Sequence, residues 1–132
     1  MNPAEYVTSV KERLLSDPLV VSFHIRRERV TAIDGYLRVR VDFGDRGMLE
    51  FAEYVQHTSE EQIMVVTYSY HWADTNNQML YRWDNTPHFP EVPGFPHHVH
   101  DGAADTVRSG QPMNIFTVLD FIAQRITESG RG

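Results

Sequence analysis

The eight residues Tyr36-Leu-Arg-Val-Arg-Val-Asp-Phe43 alternate without a break. Leu37, Val39, Val41 and Phe43 fall on one side, and Arg38, Arg40 and Asp42 fall on the other. Successive side chains of a strand point to opposite faces, so this is a strand with one apolar and one polar face. The apolar face needs a partner layer, and the polar face carries arginines.

The neighbouring segments supply more strands. Leu19 to Thr31 is rich in β-branched and aromatic residues, and Asp34-Gly35 is a hairpin signal. Gly44-Asp-Arg-Gly47 makes the next turn. Met48 to Gln56 reads as a strand, as does Ile63 to Trp72 after the polar turn from His57 to Glu60. Asp74-Thr-Asn-Asn77 turns the chain into Met79 to Asp84. Sequential strands usually pair, which predicts an antiparallel meander. His97 to His100 is expected as a short edge strand, because prolines before it cannot donate to a ladder.

Helices flank this region. Pro3 to Ser16 carries Tyr6, Val7, Val10 and Leu14 on one face, with Asn2 as cap and Asp17-Pro18 as stop. Asn114 to Glu128 carries an apolar stripe of Ile115, Val118, Leu119, Ile122 and Ile126. The expected fold class is α+β: a helix, an antiparallel meander of about five to six strands, and a C-terminal helix on one face. Residues 1–132 are expected to form a single domain.

Composition narrows the function. The chain has no cysteine, which excludes disulfides, thiolate metal sites and a cysteine nucleophile. No apolar run approaches the roughly 18 residues of a membrane span. The N-terminus lacks the basic and apolar regions of a signal peptide, so a cytoplasmic protein with no membrane partner is expected. The net charge of −6 opposes broad nucleic-acid binding. The basic residues are nevertheless clustered: Arg26, Arg27, Arg29, Arg38, Arg40 and Arg46 lie close together, and Lys11 is the only lysine. Arginine offers a bidentate fork for phosphate or carboxylate.

The chemistry is expected between Tyr81 and Asp101. Prolines at 87, 90, 93 and 96 recur every third residue, which favours a polyproline II path. They lead into His97-His-Val-His100, where strand geometry puts His98 and His100 on one side and His97 on the other. A turn centred on Thr75-Asn76 would place His71 opposite Leu80, Ser69 opposite Arg82 and Thr67 opposite Asp84. One face of that hairpin would then hold Thr67, Ser69, His71, Arg82 and Asp84. The other would hold Met64, Val66, Tyr68, Tyr70, Trp72, Met79, Tyr81 and Trp83. The polar set suits metal-free acid–base work on a phosphodiester, with His98 and His100 moving protons and Arg82 stabilising charge. Asp84, His88 and His97 complete the candidate catalytic set, and Arg38, Arg40, His71 and Tyr81 are the candidate substrate contacts. No cofactor is expected on this reading. The alternative is zinc or another divalent metal on the histidine cluster, in a non-catalytic binding module.

The pattern Tyr81-Arg-Trp-Asp-Asn-x-Pro-His88, followed by Phe95-Pro-His-His-x-His100, resembles the TumE family of toxins. The resemblance implies the toxin of a two-gene system, paired with a helix-turn-helix antitoxin protein. An RNA substrate and a homodimer are further expectations. The assignment of site residues rests on their chemistry alone.

Overall fold

The computed structural model describes residues 1–85, 96–102 and 106–129. His88 and the prolines at 87, 90 and 93, expected on a polyproline path, lie outside the described residues.

Asn2 opens helix α1 (Pro3–Ser16) through a reciprocal cap. Its side chain accepts the Glu5 N–H at 2.8 Å, and Glu5 accepts the Asn2 N–H at 3.0 Å. Tyr6, Val7, Val10 and Leu14 are buried, as their spacing predicts. Seven strands follow among the described residues: β1 (Ser22–Val30), β2 (Asp34–Asp42), β3 (Met48–His57), β4 (Ile63–Ala73), β5 (Met79–Asp84), β6 (His98–Asp101) and β7 (Thr106–Ser109). They form one antiparallel sheet in sequence order. Helix α2 (Ile115–Ser129) closes the α+β fold. The Asn114 side chain caps it by accepting the Thr117 N–H at 2.9 Å. No described helix is long and apolar enough to cross a membrane.

Three local expectations are corrected. The first hairpin turns at Thr31–Ile33, and Asp34-Gly35 already belongs to β2. The Thr31 hydroxyl donates to the Asp34 carboxylate at 2.6 Å and closes the turn. In β4 a bulge follows the pairing of Tyr54 with Thr67, because Val55 pairs with Val65. Side-chain direction reverses there, so Met64 is exposed while Ile63 and Val65 pack on the core. The Asn85 amide fills the bulge, donating to the Val66 carbonyl at 2.8 Å and accepting the Tyr68 N–H at 3.0 Å. Strand β6 is not an edge, because β7 pairs with it. The backbone at Gly102, just after β6, passes so close to β5 that a Cβ there would lie 1.9 Å from the Met79 carbonyl oxygen.

Both helices cover the same face of the sheet. Leu37, Val39, Val41, Leu49, Phe51, Tyr70 and Trp83 point into this core. Burying each such side chain stabilises the fold by roughly 1.5–3 kcal/mol. Phe121 of α2 meets Tyr81 and Trp83 edge-on, at centroid distances of 5.0 and 5.2 Å. Within this apolar layer lies one carboxylate, Glu53, at 1% exposure. It accepts the Tyr6 hydroxyl at 2.6 Å, the Tyr70 hydroxyl at 2.6 Å and the Ile115 N–H at 2.8 Å. One side chain of β3 thereby ties α1, β4 and the first turn of α2 together. Burial pushes the Glu53 carboxyl up, and its three donors pull against that shift.

Candidate functional site

Among the described residues, the opposite face carries no helix. The register sets its side chains in lateral rows. Arg40 lies opposite Glu50, Glu50 opposite His71, His71 opposite Arg82, and Arg82 opposite His100. The next row runs through Arg38, Ala52, Ser69, Asp84 and His98. The expected pairing of His71 with Leu80 is therefore corrected by two residues. A two-residue slip preserves each side chain's face, so the polar set stays together.

Asp84 and His98 form the buried part of this site, with side chains 2% exposed. Asp84 Oδ1 lies 2.8 Å from His98 Nε2, within ion-pair range. The other carboxylate oxygen meets Arg82 Nε at 3.2 Å. His98 Nδ1 lies 3.0 Å from the Pro96 carbonyl oxygen, which can only accept, so Nδ1 carries a proton. His100 stands beside His98, their rings near-perpendicular at 5.1 Å, and keeps partial solvent access. Arg82 meets Asp84 through Nε, and its side chain is 44% exposed.

Across Arg82 from His100 stands His71, also exposed. Partial desolvation holds its imidazole below the ordinary value, Arg82 adds to the effect and Glu50 opposes it. A depression of about 220 Å³ opens here, lined by Arg38, Glu50, Ala52, Ser69, His71 and Arg82. A second, of about 360 Å³, shares Glu50 and His71 and reaches Arg40 and the turn after β4.

Arginines extend the face toward β1. Arg27 pairs with Arg38, and Arg29 with Tyr36. Arg26 reaches Glu50, Nε to Oε1 at 3.8 Å. Arg38 donates to the other oxygen of Glu50 at 3.0 Å. Six arginines of an acidic chain thus share one face: Arg26, Arg27, Arg29, Arg38, Arg40 and Arg82. The acidic strand residues on it are Glu50, the buried Asp84, and Asp34 and Asp42 at opposite ends of β2.

The structure sorts the candidate residues. Arg38, Arg40, His71, Arg82, Asp84, His98 and His100 share this face. Two candidates, His97 and Tyr81, lie on the other face, where strand alternation predicts them. His97 stacks on Tyr68, with ring planes 7° apart, and its Nδ1 meets the Tyr68 hydroxyl at 2.8 Å. Burial, with Asp84 nearby, pushes that hydroxyl up to about 12. Tyr81 is buried under α2, and its hydroxyl accepts from Arg125 at 2.7 Å. His88 lies outside the described residues. Glu50 and Glu53 were not anticipated. Glu53 is detectable as an acid at an inward position of the run Leu49, Phe51, Glu53, Val55. Glu50 shows no sequence signal beyond its outward phase.

A sheet with one helix-covered face and one face of arginine, histidine and a buried carboxylate defines a small α+β protein with a polar sheet face. A family model described as Toxin TumE matches residues 10–128. The chain belongs to the TumE toxin family, and a toxin implies a neutralising antitoxin. No curated protein matches it. No solved structure matches it.

Proposed function

We propose that this toxin binds RNA across its helix-free sheet face and cleaves the phosphodiester held at Arg82. The carrying observation is the gathering of six arginines on that face of a chain whose net charge is −6. Phosphate contacts supply much of the affinity for nucleic acid, so local charge matters more than the total. Tyr36 and Tyr54 stand opposite one another on the same face and offer surfaces for base stacking.

The chemistry follows from the row His71–Arg82–His100. The outer nitrogens of Arg82 hold the phosphate oxygens and stabilise charge as the phosphorus becomes five-coordinate. His71, kept neutral at physiological pH by its lowered value, takes the 2′-hydroxyl proton. The 2′-oxygen bonds to phosphorus, the bond to the 5′-oxygen breaks, and its electron pair leaves on that oxygen. The departing 5′-oxygen takes a proton from a water on the His100 side of Arg82, and the proton held by His71 returns to the resulting hydroxide. A cytoplasmic site of action and a helix-turn-helix antitoxin encoded beside the toxin fit this reading.

Induced expression in bacteria tests it, comparing wild type with a His71→Ala/Arg82→Ala variant of equal solubility and abundance. Growth arrest with fragmented RNA is expected for wild type, and neither for the variant. Arrest by wild type with RNA intact would reject RNA as the substrate.

A further inference from the structure

We infer that Asp84, His98 and His100 form a binding site for one divalent first-row transition metal ion of the zinc type. The three residues can each offer one ligand atom, and those atoms lie within 4.8 Å of one another. The set of two imidazoles and one carboxylate suits a metal of intermediate softness.

The surroundings match what such a site needs. A metal-binding histidine characteristically donates its other ring N–H to a carbonyl or carboxylate, which fixes the tautomer and aims the lone pair. His98 does this: Nδ1 donates to the Pro96 carbonyl at 3.0 Å, and Nε2 points to the Asp84 side. Asp84 is held from behind by Arg82 at 3.2 Å on the oxygen that does not face His98. Nε2 and Oδ1 approach to 2.8 Å and border a common space beside His100. Ligands around a tetrahedral zinc sit about 3.3 Å apart, given bonds of about 2.0 Å. Widening that approach by about half an ångström and drawing in His100 would complete a three-ligand site.

Two buried ligands and one partly exposed ligand give the site access to solvent through His100, as in catalytic rather than structural metal sites. The inference departs from the metal-free chemistry expected from the sequence. Its catalytic part rests on the proposed RNA cleavage. There the ion would neutralise the departing 5′-oxygen, which takes a proton from metal-bound water, and the resulting hydroxide regains a proton from His71.

The test uses untagged, full-length protein, stripped with chelator and desalted, and titrated calorimetrically with zinc sulfate. One equivalent is expected to bind at micromolar Kd or tighter, and cobalt(II) should give the visible absorption of a site with four or five ligands. His100→Ala, a partly exposed position, should weaken binding by more than about 100-fold, beyond the roughly 10–100-fold effect of an outer partner. His97→Ala, its opposite-face neighbour, should bind as wild type. Circular dichroism confirms that both variants fold. Absence of saturable binding, or equal binding by His100→Ala, would overturn the site. Metal binding without RNA cleavage would keep the site and reject the ribonuclease, whereas cleavage by protein that binds no metal would do the reverse.

Discussion

The two faces of this sheet use their polar groups in opposite ways. On the helix-covered face the buried polar atoms tie separate parts of the fold together. Glu53 serves three donors, Trp72 Nε1 donates to the Arg46 carbonyl at 3.1 Å, and the Tyr81 hydroxyl accepts from Arg125. On the open face the ion pairs gather around Arg82 and Glu50 and keep the arginine side chains partly in solvent. The first pattern spends polarity on rigidity, since an unsatisfied buried group costs about 1–3 kcal/mol. The second holds polarity ready for a ligand. Comparable residues on one strand thus have different roles: Glu50 and Glu53 are three positions apart in β3, and opposite phase separates a binding-face acid from a core clasp.

That contrast is broken most severely at Glu53. Glu53→Ala would strand the Tyr6 and Tyr70 hydroxyls and the Ile115 N–H, so a loss of about 4 kcal/mol or more is expected by urea denaturation. Glu53→Gln keeps an acceptor and should lose less than half of that. An alanine variant as stable as wild type would show that the clasp contributes nothing. The next effect belongs to the open face. Arg82→Ala should lower RNA cleavage by about 100-fold or more. It should cost less in stability, about 1–2 kcal/mol, since the buried Asp84 carboxylate loses one partner and keeps His98. Equal losses of stability and activity would mean that Arg82 is structural.

Smaller effects sharpen the comparison. Arg38→Ala/Arg40→Ala should weaken RNA binding and flatten its salt dependence, by a slope of about 0.7 for each single-strand phosphate no longer neutralised. An unchanged slope would remove these residues from the interface. For pH, His71 is held below its ordinary value of 6.5 and must be neutral to accept a proton. Cleavage should therefore fall only as pH drops through that lowered value, with its acid limb below pH 6.5. The same sign applies to stability: what the neutral ring contributes is present above the unfolded value and lost as pH falls through the folded one. A limb above 6.5 would contradict the desolvation of His71. The smallest effect is expected outside both networks. Removing the Lys11–Glu28 ion pair, half-exposed beside α1, should change stability by less than about 1 kcal/mol.

Much of the fold is legible in the chain. Alternation in Tyr36–Phe43 places the faces of β2, and the caps at Asn2 and Asn114 place both helix starts. The candidate face survives an incorrect β4–β5 register because strand side chains repeat every two residues. Met64 departs from its expected face because the bulge at Val66 depends on the partner strand and on Asn85, which sequence alternation within β4 does not contain. Strand β7 is not legible because four residues carry too little pattern. The convergence of Asp84 and His98 depends on β5 pairing with β6 across an intervening segment, which spacing alone does not determine. Glu53 is signalled only by its inward phase in the run Leu49, Phe51, Glu53, Val55, against the ordinary rule that a glutamate in a strand faces water.

The most direct measurement is cleavage of a defined single-stranded RNA by purified wild type, Arg82→Ala and His71→Ala, with product ends identified. Cleavage by wild type to a 2′,3′-cyclic phosphate, lost in both variants while all three proteins keep their fold, is expected if the open face is the working surface. Cleavage of equal rate in the Arg82→Ala protein would contradict it.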